Sequence, residues 1–167
     1  MTAARLRALV PALALAAGAA ACSDHEFHPP GEEERAATAD SLYQAARFDT
    51  IAWASDSARV QIGNLVFASE CRRCHGPLGR GDTDYARERE LEVPSLVTPD
   101  WPYAASIDTV RRQIFVGHGP GMPEWGVGRL TPREIDAVAA YVIRQLRPEV
   151  LADSATIPVP LRSDTSR

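Results

Sequence analysis

Cys71, Cys74 and His75 form the pattern with the clearest chemistry in this chain. In a helical turn these three positions share one face, because residues three and four apart are neighbours on a helix surface. Two thiols on that face can each form a thioether with a vinyl group of one porphyrin, and the imidazole can then bind the iron. A Cys-x-x-Cys-His run therefore predicts one covalent haem c.

Two other interpretations of this motif have less support. A structural zinc site needs four ligands, usually from a second Cys or His pair, and the only further cysteine is Cys22 near the N-terminus. A thioredoxin-like redox pair needs neither the following histidine nor an all-helical setting.

Met122 is the predicted second axial ligand of the iron, with His75 as the first. It is the only methionine after Met1, and it stands between Gly121 and Pro123 in a loop where core packing is not expected. Covalent haems commonly pair His with Met. His118 in the same loop is the rival ligand, and a bis-His site would have a lower reduction potential.

The elements that position these residues are predicted to be helices. The spacing of apolar residues at 62, 65, 66 and 67 indicates a helix over 58–70 that leads into the attachment motif. Gly63 lies inside it, which indicates the close approach of another helix. Ser106 is the expected N-cap of a helix Ile107–Val116 that Gly117 ends.

A further helix begins with a strong start signal. Thr131 fits the N-cap, Pro132 the first helical position and Glu134 the reciprocal partner of a capping box. The apolar pattern then continues to about Arg147, and Pro148 predicts the end of the helix. Residues 148–167 are assigned to a flexible C-terminal tail.

The N-terminal residues 1–21 are interpreted as a secretory signal peptide. Arg5 and Arg7 precede an Ala- and Leu-rich apolar stretch that ends in small residues. Pro11 and Gly18 interrupt this stretch, and it is short for a membrane span.

Cys22 follows directly and is the predicted site of a lipid anchor. Its setting resembles a bacterial lipobox, although Ala19 stands where Leu is preferred. Lipidation would account for an otherwise unpaired cysteine in an exported protein. The alternative is ordinary cleavage after Ala21, which leaves a free thiol.

Residues 22–57 are interpreted as an acidic tether or linker. They carry eight acidic side chains and two arginines, whereas residues 58–147 are nearly balanced in charge. Neither part has the basic footprint of a nucleic-acid-binding protein. The scattered apolar residues from Leu42 to Trp53 are expected to pack on the back of the domain; a docking segment for a partner subunit is the alternative.

The stretch 58–147 resembles a class I monohaem cytochrome c domain of the short bacterial type, which is also found in oxidase subunits. The resemblance rests on the order of its motifs, which are Gly63, Phe67, the attachment motif with Gly76, Val-Pro94-Ser-Leu, Gly-Met122-Pro and Tyr141. It implies an all-α cytochrome c fold with three to five helices around the haem. It also implies that the Pro94 carbonyl accepts a hydrogen bond from His75 Nδ1.

These observations predict an electron carrier rather than an enzyme, because a haem with both axial positions filled leaves no site for substrate. We expect the protein to be exported and to be anchored by a lipid on Cys22 at the periplasmic side of a bacterial membrane. There it would exchange single electrons with redox partners of a respiratory chain. One alternative is a haem subunit of a larger quinol-oxidising, oxidase or dehydrogenase complex. Another is a gas sensor or peroxidase-like enzyme with a vacant Met122 position.

Overall fold

The computed structural model describes residues 28–118 and 121–156. Contacts divide the chain into Met1–Pro30 and Gly31–Arg167, and only residues 28–30 of the first unit are among those described. The predicted signal peptide 1–21, the predicted lipidation site Cys22 and residues 157–167 of the tail lie outside the described residues.

The described residues form helices joined by loops, without strands. In chain order the α-helices are α1 (Glu32–Leu42), α2 (Ala46–Asp49), α3 (Asp56–Val66), α4 (Arg72–His75), α5 (Asp84–Glu88), α6 (Ile107–Val116), α7 (Pro132–Tyr141) and α8 (Arg147–Thr156). Two π-helical turns, Phe67–Cys71 and Val142–Leu146, join α3 to α4 and α7 to α8. Between 58 and 147 this makes four helical stretches, and the predicted all-α cytochrome c fold is confirmed.

The helices α3 and α7 cross at Gly63, which is buried. A β-carbon added there would lie 2.1 Å from the Ala137 carbonyl oxygen and 2.7 Å from Cβ of Tyr141. One turn along, the rings of Phe67 and Tyr141 are 5.5 Å apart. The prediction that another helix approaches Gly63 is confirmed, since only a residue without a side chain fits this crossing.

The local signals at both later helix starts are also confirmed. Ser106 caps α6 by accepting a hydrogen bond from the Asp108 amide. Thr131 and Glu134 form the reciprocal capping box at the start of α7. Each cap satisfies backbone N–H groups that have no partner within the helix, so these starts depend on neighbouring residues alone.

The predicted helix end before Pro148 is wrong. The helix continues through α8 to Thr156, because Pro148 falls in the first turn of α8, where a missing N–H is tolerated. The preceding π-helical turn makes this possible: the Arg147 amide bonds the Val142 carbonyl five residues back. Residues 148–156 therefore extend the domain's last helix, and Val150 is buried.

The buried face of α3 differs in part from the apolar pattern. Val66 and Phe67 are buried as expected, but Ile62 is 37% exposed and Leu65 is 70% exposed. The contact with α7 is instead made along Arg59, Gly63 and Val66. The face of α3 that is buried is therefore the one that lets its backbone approach α7 at Gly63, and not the one that carries Ile62 and Leu65.

Residues 32–57 pack on the domain, as the favoured interpretation of their apolar residues expected. Phe48 is buried in the core, with Tyr43 and Ile51 packed against it. The Tyr43 ring meets the Phe115 ring of α6 edge-on at 5.4 Å. Among the residues that the structure describes, no helix is both long enough and apolar enough to cross a membrane.

Candidate functional site

The attachment motif lies where the π-helical turn passes into α4. Cys71 is the last residue of the turn, and Cys74 and His75 end the short helix. Both cysteines carry free thiols and are partly exposed. The chain leaves the helix at Gly76, whose φ of +76° favours glycine. The backbone thus delivers two thiols and one imidazole to the same place, as the spacing predicted.

These three side chains border a cleft. We describe it as two lobes, which share Cys71, His75, Pro94, His118 and Met122 among their lining residues. Cys71, His75 and Met122 line both lobes, and Cys74 lines the first. The structure therefore brings together the four residues that the sequence singled out for haem.

The second lobe is walled almost entirely by apolar side chains. Trp101 and Tyr103 line this lobe, and Trp125 lines the first lobe. Phe115 does not line the cleft but packs against Gly126 and Tyr43. The remaining walls of the second lobe include Phe67, Leu96, Val110, Gln113, Ile114, Val138 and Val142. An apolar wall of this kind suits a flat hydrophobic macrocycle.

Met122 belongs to a short hairpin with the rival ligand His118. The two residues form an isolated antiparallel bridge, in which the Met122 amide donates to the His118 carbonyl at 3.2 Å. His118 lines both lobes of the cleft as Met122 does. Gly117, directly before His118, lies close to Met122: a β-carbon on Gly117 would be 2.6 Å from the Met122 carbonyl oxygen.

The imidazole of His75 is held in its neutral form. Burial, with a smaller contribution from His118, lowers the pKa of His75 to about 4, while the Pro94 carbonyl opposes the shift. Burial likewise lowers the pKa of His118. A neutral imidazole has a free lone pair on one nitrogen, which is the form that binds a metal.

His75 Nδ1 is buried and has no partner with hydrogen-bond geometry. The Pro94 carbonyl lies near enough to raise the pKa of the ring, but it is not aligned to accept a full hydrogen bond. A buried polar atom without a partner is costly, so this imidazole is set up for a contact that a small reorientation would complete.

The segment that carries Pro94 is tied to the attachment motif by backbone contacts. The Gly81 amide donates to the His75 carbonyl at 2.9 Å, and the Leu96 amide donates to the Gly79 carbonyl at 2.8 Å. From the other side, the Arg147 guanidinium donates to the carbonyls of Leu96 and Thr98. Pro94 is thereby held at the wall of the cleft, within both lobes.

The Cys71 thiol lies in an environment that keeps it protonated. Burial, then the charge of Glu70, raises the pKa of Cys71 to about 12. A thiol, rather than a thiolate, is the form present here at neutral pH, so spontaneous metal capture by this cysteine is disfavoured.

Sequence reasoning missed two groups of residues at this site. Leu91 and Val93 line the first lobe although they flank Glu92 at the end of a highly charged stretch. Their neighbour Tyr85 also has a partner, since the guanidinium groups of Arg73 and Arg89 lie over its ring at 4.3 Å and 4.0 Å. The apolar residues Leu91, Val93 and Leu96, which follow a highly charged stretch, were the available signal.

Comparison with known families gives one match over the same region. The family described as "Cytochrome C oxidase, cbb3-type, subunit III" matches residues 58–142, just over half of the chain. This region begins within α3 and ends just after α7, so it holds the attachment motif, Pro94 and Met122.

Individual relatives match about half of the chain. A Cbb3-type cytochrome c oxidase subunit CcoP from Rhodobacter capsulatus is 34% identical over 94 residues, covering 53% of this chain and 30% of the relative. A Cbb3-type cytochrome c oxidase subunit FixP from Azorhizobium caulinodans is 34% identical over 87 residues, covering 52% and 27%. The chain thus spans less than a third of the length of these relatives, and no solved structure gives a significant match.

The region that the family model matches is all-helical in the structure and contains the attachment motif that borders the cleft. The chain belongs to the family of cytochrome c domains described as cytochrome c oxidase, cbb3-type, subunit III.

Proposed function

We propose that this chain is a haem-carrying electron-transfer subunit of an oxidase complex. The observation that carries the proposal is the single cleft bordered by Cys71, Cys74, His75 and Met122. The relatives are named as subunits of cbb3-type cytochrome c oxidase, which supports a subunit better than the free carrier that the sequence first favoured.

The residues of the cleft fit one covalent haem c. Cys71 and Cys74 would form the thioethers, and His75 and Met122 would bind the iron. When bound, haem supplies a one-electron iron couple in a site that no substrate can enter. The partnerless Nδ1 of His75 would gain the Pro94 carbonyl as its hydrogen-bond acceptor, and this contact would fix the ring and raise its basicity.

The apolar walls have their own role in this function. Trp101, Val138 and Val142 keep water from the second lobe and lower the local dielectric constant, and both effects tune a reduction potential. The chain's contribution to electron transfer is therefore to fix the ligands, exclude water and keep the geometry the same in both oxidation states.

Covalent attachment is tested by replacing the cysteines. The unmodified protein, matured in a host that attaches haem c, is expected to stain for haem after denaturing electrophoresis, with one haem per chain. Cys71→Ala/Cys74→Ala is expected to lose the stain. If the double variant still carries covalent haem, or the unmodified chain carries none, the proposed cofactor is wrong.

The partner is tested by detergent extraction of native membranes. Stable copurification with an oxidase supports the subunit, whereas a protein that separates cleanly and reduces an oxidase in solution is a free carrier. Rapid carbon monoxide binding by the unmodified ferrous protein would instead indicate a gas sensor or peroxidase-like enzyme.

Membrane attachment is proposed to depend on a lipid at Cys22 after export to the periplasmic side. Cys22→Ala is expected to move the protein from the membrane fraction to the soluble fraction. If the variant stays with membranes stripped of its oxidase partner, the anchor is not at Cys22.

A further inference from the structure

A second metal-binding side chain lies beside Met122. Residues opposed in an antiparallel bridge project their side chains to the same face, with β-carbons about 5 Å apart. His118 and Met122 are such a pair, so the imidazole and the thioether leave the hairpin in the same direction. That direction is the cleft, because both residues line both of its lobes.

His118 also faces the other axial ligand. The same two lobes are lined by His75. The chain has four histidines. Of these, His25 falls outside the described residues, and His28 does not line either lobe of the cleft.

We propose that His118 is a reserve axial ligand, which binds the iron when the Met122 thioether leaves it. The inference rests on the proposed haem at Cys71, Cys74 and His75. Neutral imidazole is a good iron ligand, and a donor on the same hairpin acts at a high effective concentration because it needs no diffusion to the metal.

The consequence is a haem that stays closed. A site that loses Met122 would become bis-His, six-coordinate and lower in potential, rather than open to small molecules. The chain would then carry two coordination states with different potentials on one hairpin. Neither state exposes the iron to dioxygen.

The test compares two haem-loaded variants by absorption and paramagnetic resonance. Met122→Ala is expected to be low-spin with two imidazole ligands, and Met122→Ala/His118→Ala to be high-spin or water-ligated. If the iron of Met122→Ala is open in only about a tenth of molecules, its apparent carbon monoxide affinity is about tenfold lower than that of the double variant. Equal affinities and a high-spin Met122→Ala would overturn the proposal.

Two controls keep the result specific. Met122→Ala/His25→Gln/His28→Gln should remain low-spin, because the proposal assigns the ligand to His118 alone; a high-spin triple variant would contradict it. Met122→Leu preserves the side-chain volume if Met122→Ala accumulates poorly, and it should show the same dependence on His118. Haem staining separates the two levels: an unstained unmodified protein defeats the proposed function, whereas stained variants with open iron defeat only the reserve ligand.

Discussion

The two sides of α7 are completed in different ways. On one side Asp136, 1% exposed, accepts hydrogen bonds from α3, from α6 and from Trp53 in the segment before α3. On the other side Val138, together with Val142 in the π-helical turn that follows α7, lines the second lobe of the cleft. His75 also lines this lobe, and its Nδ1 has no hydrogen-bond partner. One side of the helix is packed against charged and polar protein groups, and the other borders an open cleft.

The Asp136 side is a buried ion cluster. Arg59 Nη2 and Arg111 Nε donate to Oδ1 at 2.6 Å and 2.8 Å, and Trp53 Nε1 donates to Oδ2 at 2.6 Å. Arg111 also pairs with the exposed Asp108. Only Arg59 Nε lacks a partner in this cluster. The cluster joins the N-terminal segment, α3, α6 and α7 through protein groups alone.

The largest expected effect is that of making the chain without haem. In Cys71→Ala/Cys74→Ala without cofactor, we expect the loss of most of the stability, because cofactor binding contributes folding free energy and the apolar lobes would face water. Hydrogen exchange should show early loss of protection in 91–104 and 121–130 and longer protection at the α3–α7 crossing. Uniform loss across both regions would contradict this expectation.

Asp136→Ala should have the next largest effect. Removing the carboxylate leaves Arg59 and Arg111 buried without their partner, which costs about 3–5 kcal/mol of unfolding free energy. Urea denaturation of the haem-loaded protein measures it. The matched control is Asp56→Ala, which breaks the ion pair between Asp56 and Arg144. Because the Asp56 side chain is 74% exposed, this substitution should lower the unfolding free energy by less than about 1 kcal/mol. Equal costs would mean that the cluster is not a stabilising centre.

Arg35→Gln should have the smallest effect. Arg35 Nε lies 3.0 Å from Glu124 Oε1, and this pair links α1 to the loop after Met122, but the arginine is 43% exposed. The loss should stay within about 1 kcal/mol. A charge exchange, Arg35→Glu with Glu124→Arg, should recover what Arg35→Glu alone loses.

The pH dependence of this pair gives a second measurement. A backbone hydrogen bond within Glu124, and then Arg35, lower the pKa of the Glu124 carboxyl. Its stabilisation is therefore present above the unfolded value, about 4.3, and is lost as the pH falls through the lower folded value. The difference between wild type and Arg35→Gln should shrink in that acid range; a difference that grows there would exclude the pair as its source.

The parts of the site that could be predicted are those with local causes. The attachment motif is five consecutive residues, and the caps at Ser106 and Thr131 involve side chains and amides two or three residues apart. Gly63 was predictable because a glycine inside a helix is costly without a reason. Met122 stood out because its loop offers a long apolar side chain no obvious packing role.

The parts that escaped prediction depend on residues distant in the sequence. In the sequence, Asp136 is indistinguishable from an ordinary polar position of an amphipathic helix. Its partners Arg59 and Trp53 are 77 and 83 residues away along the chain. Leu91 and Val93 line the cleft because their segment packs against the loop that follows the attachment motif. Gly81 lies against the Val93 backbone, and Gly79 accepts a hydrogen bond from the Leu96 amide. The continuation through Pro148 depends on a π-helical turn that no local propensity predicts.

The π-helical turn Phe67–Cys71 has a consequence for chain length. The Arg72 amide bonds the Phe67 carbonyl five residues back, so this turn holds one residue more than a regular α-helical turn. Each residue of an α-helix turns the chain by about 100° around the helix axis. If the same sequence formed a regular α-helix, the two thiols would be rotated by about 100° around this axis and would no longer point into the cleft. A deletion of one exposed residue such as Ser69 would convert the turn to regular α-helix and leave the motif facing as it does. Chains of this family that differ by one residue between the crossing glycine and the first cysteine can therefore present the same attachment surface.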